Sequence, residues 1–321
     1  MSCPFNKARN ATKNNFSSKQ SAGVPIPDHY LPEKDKFNAG KAVRKMKATE
    51  REYFVQDPAR IGNAYLEDSV LKDIVKHMVP AELLSDIEED LIRFGDRVAK
   101  EVTPLGHESD QTIPKLLQID GWGNKIDSVK TSHAWDRLAD IATEEGLMGI
   151  GYEREKYGEF ARVYQFIKMY MFAGGCAVSD CPLAMTNGAI KLVDEADEET
   201  RSLCFDRLTT RSIKDAVTSG QWMTERTGGS DVSRAETLAR KDPTSNDPRQ
   251  YELFGYKYFT SSINSQLAFG LARIVNEDGS IGSGSRGLSV FHIETRNKDG
   301  QLNNIVVHKL KDKLGTKGVP T

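Results

Sequence analysis

The 321-residue sequence predicts an α+β chain, an N-terminal all-α domain followed by an antiparallel β-sandwich or small barrel. Three observations carry that expectation. Up to about residue 215, apolar residues recur at spacings of three and four, the period of a helix face. After Val217 they come in short runs separated by Gly, Asn, Asp, Ser and Pro clusters, which is strand and turn chemistry. Between the two lies Thr218–Val232, where a strand-like run meets Gly228-Gly229-Ser230, a turn with little bulk and several backbone N–H groups that can wrap a phosphate or pyrophosphate. An ordinary turn between strands has the same composition, so this motif alone does not decide its role.

Residues 1–50 are polar and carry Lys7, Arg9, Lys13 and Lys19 before the first acidic residue, Asp28. That bias fits a mitochondrial presequence or a flexible leader on a cytoplasmic protein. Residues 51–215 form the expected helical domain. Leu84, Ile87, Leu91, Phe94 and Val98 share one helix face, and Pro104 is expected to end that helix. Asp120-Gly121-Trp122-Gly123-Asn124 reads as a loop. Trp135, Leu138, Ile141 and Ala142 mark the next helix, capped by Ser132 and stopped at Gly146. Another runs through Phe160, Val163, Ile167 and Met171 to Gly174-Gly175. Two more follow, from Pro182 to Val193 and from about Asp197 through Leu208. Residues 216–321 form the β-domain, with strands expected at 251–254, 256–259, 267–274, 288–293 and 305–307.

Composition excludes several classes. A net charge of -2 and a pI of about 6.3 give no basic bias, so nucleic acid is not an expected partner. Mean hydropathy is -0.52, and no apolar run reaches the roughly 20 residues of a membrane span. Cys3, Cys176, Cys181 and Cys204 lack both a disulfide framework and metal-ligand spacing, and read as reduced thiols, with no metal expected.

A helical domain leading into a first strand that ends in Met223-Thr224-Glu225, followed by Gly228-Gly229-Ser230-Asp231, resembles the acyl-CoA dehydrogenase superfamily. Further segments match in order over roughly residues 60–321. These are Cys181-Pro182-Leu183-Ala184-Met185-Thr186-Asn187-Gly188-Ala189, Gly255-Tyr256-Lys257-Tyr258-Phe259-Thr260-Ser261 and Leu310-Lys311-Asp312-Lys313-Leu314-Gly315. Together with Trp122-Gly123-Asn124-Lys125-Ile126-Asp127 they point to its AidB-like branch.

The resemblance implies FAD as cofactor and a fatty acyl-CoA as substrate, oxidised to the 2,3-enoyl thioester. It puts Met223 and Thr224 at the flavin ring edge, Gly229 and Ser230 at the pyrophosphate, and Phe259 and Ser261 against the ring. Phe259 stands where many members have Trp, and Ser261 where they have Thr; an aromatic face and a hydroxyl donor are kept. Glu225 is implied to be structural.

The family's C-terminal four-helix domain, with the glutamate that removes the α-proton, lies outside these residues, so no catalytic residue is nominated. The sequence is accordingly expected to be a fragment, a short isoform or an incomplete gene model that retains flavin weakly and is inactive by itself. A homotetramer and an electron-transfer flavoprotein or other acceptor are implied for the full-length form. The alternative is an acyl-CoA- or fatty-acid-binding flavoprotein with a sequestering or regulatory role.

Overall fold

The computed structural model describes residues 61–321 and, before them, only the backbone of a two-residue antiparallel pair, Val24–Pro25 with Lys45–Met46. The polar leader and Cys3 lie outside the described residues. Seven helices longer than one turn occupy 69–209: α1 (Ser69–Met78), α2 (Ala81–Arg97), α3 (Thr103–Gln111), α4 (His133–Glu144), α5 (Ala161–Ala173), α6 (Asp180–Asp194) and α7 (Glu198–Thr209).

The apolar stripe of α2 is buried at Ile87, Leu91 and Phe94, as its period requires. Pro104 does not end that helix. It sits in the first turn of α3, where a missing N–H costs least, and the chain bridges the two helices with a π turn at Val98–Val102. There the Thr103 backbone N–H bonds the Val98 carbonyl, which also accepts the Thr103 hydroxyl at 3.0 Å.

α4 begins and ends on its predicted signals: the Ser132 hydroxyl accepts from the Trp135 N–H at 3.0 Å, and Gly146 turns the chain at φ 64°. Ser132→Ala is expected to lower stability by about 1 kcal/mol in urea titration, the usual worth of a side-chain cap.

The turn 120–124 is the tip of a hairpin, β1 (Lys115–Ile119) with β2 (Lys125–Lys130), rather than an isolated loop. Five further strands form one sheet: β3 (Ser219–Trp222), β4 (Leu238–Lys241), β5 (Tyr251–Phe254), β6 (Leu267–Ile274) and β7 (Ser289–Glu294). β6 is central, its near-continuous apolar run flanked by β7 on one edge and by β3 and then β4 on the other.

The sheet is mixed, whereas an antiparallel one was expected. β4–β5 and β6–β7 are antiparallel, but β3–β6 and β4–β6 are parallel. The chain leaves β3, makes the β4–β5 hairpin along the same edge, and returns to start β6 beside the start of β3. Short apolar runs carry no record of that direction.

Two expected strands are absent as strands. Residues 258–261 do run antiparallel along the free edge of β3, with the Tyr258 N–H on the Thr224 carbonyl at 2.9 Å, but φ 56° at Phe259 and a Ser261 N–H to Phe259 carbonyl bond interrupt the ladder. At 305–307 side chains take the backbone groups instead: Asp127 accepts from the Val307 N–H, and the Gln118 amide donates to the Val307 carbonyl.

β6 divides the interior by its alternation. Leu267 and Phe269 join the helical core with Leu91, Phe94, Leu138 and Ile190; Ala268 and Trp222 face the other way, with Leu116 and Val129 of the β1–β2 hairpin. The sheet is therefore covered by helices on one face and by the hairpin on the other. Among the three described cysteines, Cys176 and Cys204 are buried and all are free.

One charged cluster crosses the helical core. Lys168 of α5, 1% exposed, donates to Asp90 at 2.7 Å and to Glu145 at 2.9 Å, and its ammonium lies 4.7 Å from the Phe94 ring centre. Arg93 and Arg97 also bond Glu145. Burial works against the charge on Glu145, but the hydrogen bonds of Arg93, the charge of Lys168 and the bonds of Arg97 outweigh it and hold its pKa down at about 2.

Candidate functional site

The site is built where β3 ends. β3 is fixed to α6 from behind, since the Ser219 N–H bonds the Thr186 hydroxyl at 3.0 Å and that hydroxyl donates to the Pro182 carbonyl. A Cβ on Gly188 would lie 2.5 Å from the Gln221 side-chain nitrogen, so glycine there lets the helix approach the strand.

Beyond Trp222 the side chain of Met223 is half-buried against the helical core. Thr224 turns outward. Its carbonyl accepts from Tyr258, but among the described residues its N–H and hydroxyl have no protein partner.

A tight turn follows, closed by reciprocal backbone bonds between Glu225 and Gly228 at 3.0 and 3.2 Å. It folds Gly229 back onto the strand end: a Cβ on Gly229 would sit 3.1 Å from Thr224 Cγ2 and 3.3 Å from its Oγ1. Gly229, Ser230 and Asp231 are exposed residues, and among the described residues their backbone N–H groups have no protein acceptor. Thr224 and Gly229 are thus brought together, with Ser230 next in sequence, and a side chain at 229 would press on Thr224.

Glu225 is the anchor of the turn. It is buried, and its carboxylate accepts from the Glu236 and Thr237 N–H groups, the Thr237 hydroxyl at 2.5 Å and Lys257 at 2.6 Å. Burial opposes its ionisation, yet the Glu236 N–H, Lys257 and Thr237 hold its pKa below the usual carboxylate range. Lys257 in turn reaches the Leu271 carbonyl at 2.7 Å, tying the turn to β6.

Arg273, a lone charge in the apolar run of β6, binds the far side of the same loop by donating to the carbonyls of Ser233 and Ala235, and ties it to the β6–β7 connection through the carbonyls of Gly282 and Gly284. Sequence reading did not single out either cation for a role. Their signal is a basic residue inside an otherwise apolar or aromatic strand run.

Phe259 and Ser261 arrive on the segment alongside β3. Ser261 faces Gly220, whose Cβ would lie 3.3 Å from the Ser261 carbonyl. The Ser261 hydroxyl accepts from Thr321 Oγ1 at 3.3 Å, leaving its own proton free to donate. Phe259 is half-exposed, edge-on to Tyr258 at 4.8 Å, and the Lys311 ammonium lies 4.4 Å over its ring. Lys311 also donates to the Tyr258 hydroxyl at 3.2 Å.

Thr224, Gly229, Phe259 and Ser261 are therefore brought onto one edge of the sheet with Ser230 beside them, while Met223 turns its side chain into the core. The donor set is neutral and amide-rich, suited to an anionic phosphate and a polar ring edge. Among the described residues no cluster of His, Cys, Asp or Glu has the arrangement of a metal site.

Comparison with known proteins identifies both halves of the chain. The family model "Adaptive response protein AidB N-terminal domain" matches residues 56–215, and "Acyl-CoA dehydrogenase, middle domain" matches 220–321. Acyl-CoA dehydrogenase family member 11 of Caenorhabditis elegans is 37% identical over 273 residues, covering 84% of this chain and 44% of that protein. The putative acyl-CoA dehydrogenase AidB of Escherichia coli is 28% identical over 272 residues, covering 81% of this chain and 46% of that protein. The crystal structure of C. elegans ACDH-11 in complex with C11-CoA superposes with a TM-score of 0.79 at 37% identity, over 84% of this chain and 46% of that chain.

The chain spans less than half the length of these curated relatives. With a helical half like AidB, a sheet like the dehydrogenase middle domain, and both in one continuous match, the chain belongs to the acyl-CoA dehydrogenase superfamily, in its AidB-like branch.

Proposed function

We propose that residues 216–321 form one wall of an FAD site, set on a helical domain that ends near residue 215, in a protein that oxidises fatty acyl-CoA at the α,β position. One observation carries this reading: beyond the end of β3, Thr224, Gly229 and Ser230 keep N–H groups without a protein acceptor among the described residues, with Gly229 folded back against Thr224 and the segment of Phe259 and Ser261 alongside β3.

The fit to FAD rests on chemistry present in the chain. Backbone N–H groups of Gly229 and Ser230 match the pyrophosphate, and the absence of a side chain at 229 gives it room beside Thr224. The Thr224 N–H and hydroxyl and the Ser261 hydroxyl are donors for the polar edge of the ring. Phe259 offers an aromatic face on which Lys311 now rests, so stacking there displaces that ammonium or uses the opposite face.

A bound flavin supplies a two-electron acceptor for hydride removal. The residues of this chain bind it and place hydrogen-bond donors where negative charge develops on reduction. The base for the α-proton is assigned to no residue here, and Glu225, enclosed by four donors, is a positioning residue.

Fatty acyl-CoA as substrate is supported by the C. elegans relative, whose structure is a complex with C11-CoA. An electron-transfer flavoprotein or another acceptor and a homotetramer belong to the same reading of the full-length form.

The test is a titration of the chain with FAD and with riboflavin, followed by flavin fluorescence. We expect saturable but weak FAD binding, at least about tenfold tighter than riboflavin, the worth of one charge-assisted hydrogen bond to the pyrophosphate. Gly229→Val, which fills the space beside Thr224, is expected to remove that difference while melting as the wild type does. Equal binding of FAD and riboflavin by the wild-type chain, or no saturation, would overturn the assignment.

A further inference from the structure

The β1–β2 hairpin has an outer face that is exposed among the described residues. Leu116 and Val129 pair across the hairpin and pack inward, and Gln118 and Asp127 bind the segment at Val307. By alternation, the opposite face carries Lys115 directly across from Lys130 and Leu117 across from Ser128; past a register shift between Leu117 and Ile119, Ile119 pairs with Lys125.

Trp122 stands at the tip with 89% of its surface exposed, next to Ile119 at 63%. The other two tryptophans, Trp135 and Trp222, are buried.

Two features are unfavourable for a face that meets only water. Like charges directly opposed across a β-ladder repel, and among the described residues neither Lys115 nor Lys130 has a carboxylate within ion-pair distance. A large indole with neighbouring aliphatic side chains also stays hydrated.

The hairpin's two carboxylates leave the Lys115–Lys130 pair unrelieved; the one lysine they meet is Lys125, 3.6 Å from Asp127. Asp120 is turned into the tip, accepting from the Trp122 and Asn124 N–H groups and the Asn124 amide. Asp127 is 3% exposed, on the inner face. The same Asp120 bonds, with Gly123 at φ 90°, hold the tip rigidly, so Trp122 is presented at little entropic cost.

We propose that this face is a peripheral docking surface for an anionic lipid membrane, with Trp122 and Ile119 entering the headgroup region and Lys115 and Lys130 meeting lipid phosphates or carboxylates. Lysine around an exposed indole is the composition of an interfacial anchor, in which each cation near an anionic surface and each buried apolar group adds to binding. A second copy of the chain fits less well, because a two-fold contact would set the Lys115–Lys130 pair against its own image.

The test is sedimentation of the chain with phosphatidylcholine vesicles prepared with and without phosphatidylserine, combined with tryptophan emission. We expect binding only to the anionic vesicles, with a blue shift that is lost in Trp122→Ser. Lys115→Gln/Lys130→Gln should weaken binding by about thirtyfold, from about a factor of five per lysine. Trp122→Ser should weaken it by about tenfold.

Both substitutions are on the exposed face, and unchanged melting curves verify the fold. Equal binding to neutral and anionic vesicles, or no binding by the wild-type chain, overturns the proposal whatever the variants do. A blue shift that appears without lipid as protein concentration and scattering mass rise also overturns it, in favour of self-association.

Discussion

Replacing Glu225 by glutamine lowers the stability of the chain by about 3 kcal/mol or more and loosens the turn that carries Gly229 and Ser230. The carboxylate accepts from two backbone N–H groups, a hydroxyl and an ammonium, in a site with 5% exposure. An amide keeps the shape but turns one acceptor into a donor facing N–H groups. It also leaves Lys257, 2.6 Å away and with only 13% of its side chain exposed, without its counter-charge.

Urea unfolding measures the loss. The second variant, Lys257→Met in the Glu225→Gln background, should recover a substantial part of it, because the uncompensated cation is then removed as well. If the double variant is no more stable than the single one, the pair is not what makes Glu225 costly to change. FAD affinity should fall in Glu225→Gln and stay low in the double variant, since the backbone bonds that shape the turn are restored in neither.

The second large effect lies in the helical core. Lys168→Met removes the ammonium between Asp90 and Glu145, and we expect a loss of about 3 kcal/mol, moderated because Arg93 and Arg97 still face Glu145.

Its pH dependence gives a sharper reading. Glu145 has a folded pKa of about 2, against 4.5 for the free side chain. A depressed carboxylate pKa means that the unfolded chain takes up the proton first. The stabilisation is therefore complete above pH 4.5 and disappears as pH falls towards 2. For this one group it amounts to on the order of 3 kcal/mol. Asp90 is depressed in the same direction: burial opposes its charge, and Lys168, Tyr164 and Arg93 prevail. Acid unfolding of the wild type should thus be steep below pH 4.5, and that of Lys168→Met shallower. Equal slopes would mean that Lys168 does not set these pKa values.

Much of the fold was legible along the chain because helix periods and caps are local. The Leu84 to Val98 stripe, the Ser132 cap and the Gly146 stop each depend on residues within a few positions. So do the runs Tyr251–Phe254 and Leu267–Ile274, which became β5 and β6. Pro104 misled because a local breaker can be absorbed by one wide turn, a matter of what packs around it.

The site was legible differently. Gly229 and Ser230 announced a phosphate turn only in principle, and the roles proposed for them rest on a resemblance spread over several segments. Their geometry then came from Glu225, Lys257 and Arg273, whose bonds span 11 to 40 positions of sequence.

By itself, then, the sequence determined the helical half, the short apolar runs of the sheet and the membership of its motifs in one family, since each is written in local spacing. Only the tertiary structure decided that β3 and β4 run parallel to β6, that the 258–261 segment lies on the free edge of β3, and that the hairpin at 115–130 covers the far face of the sheet. Those are pairings between residues as much as 190 positions apart, such as Gln118 with His308. They are settled by which surfaces the whole chain can bury together, a choice that local periodicity does not encode.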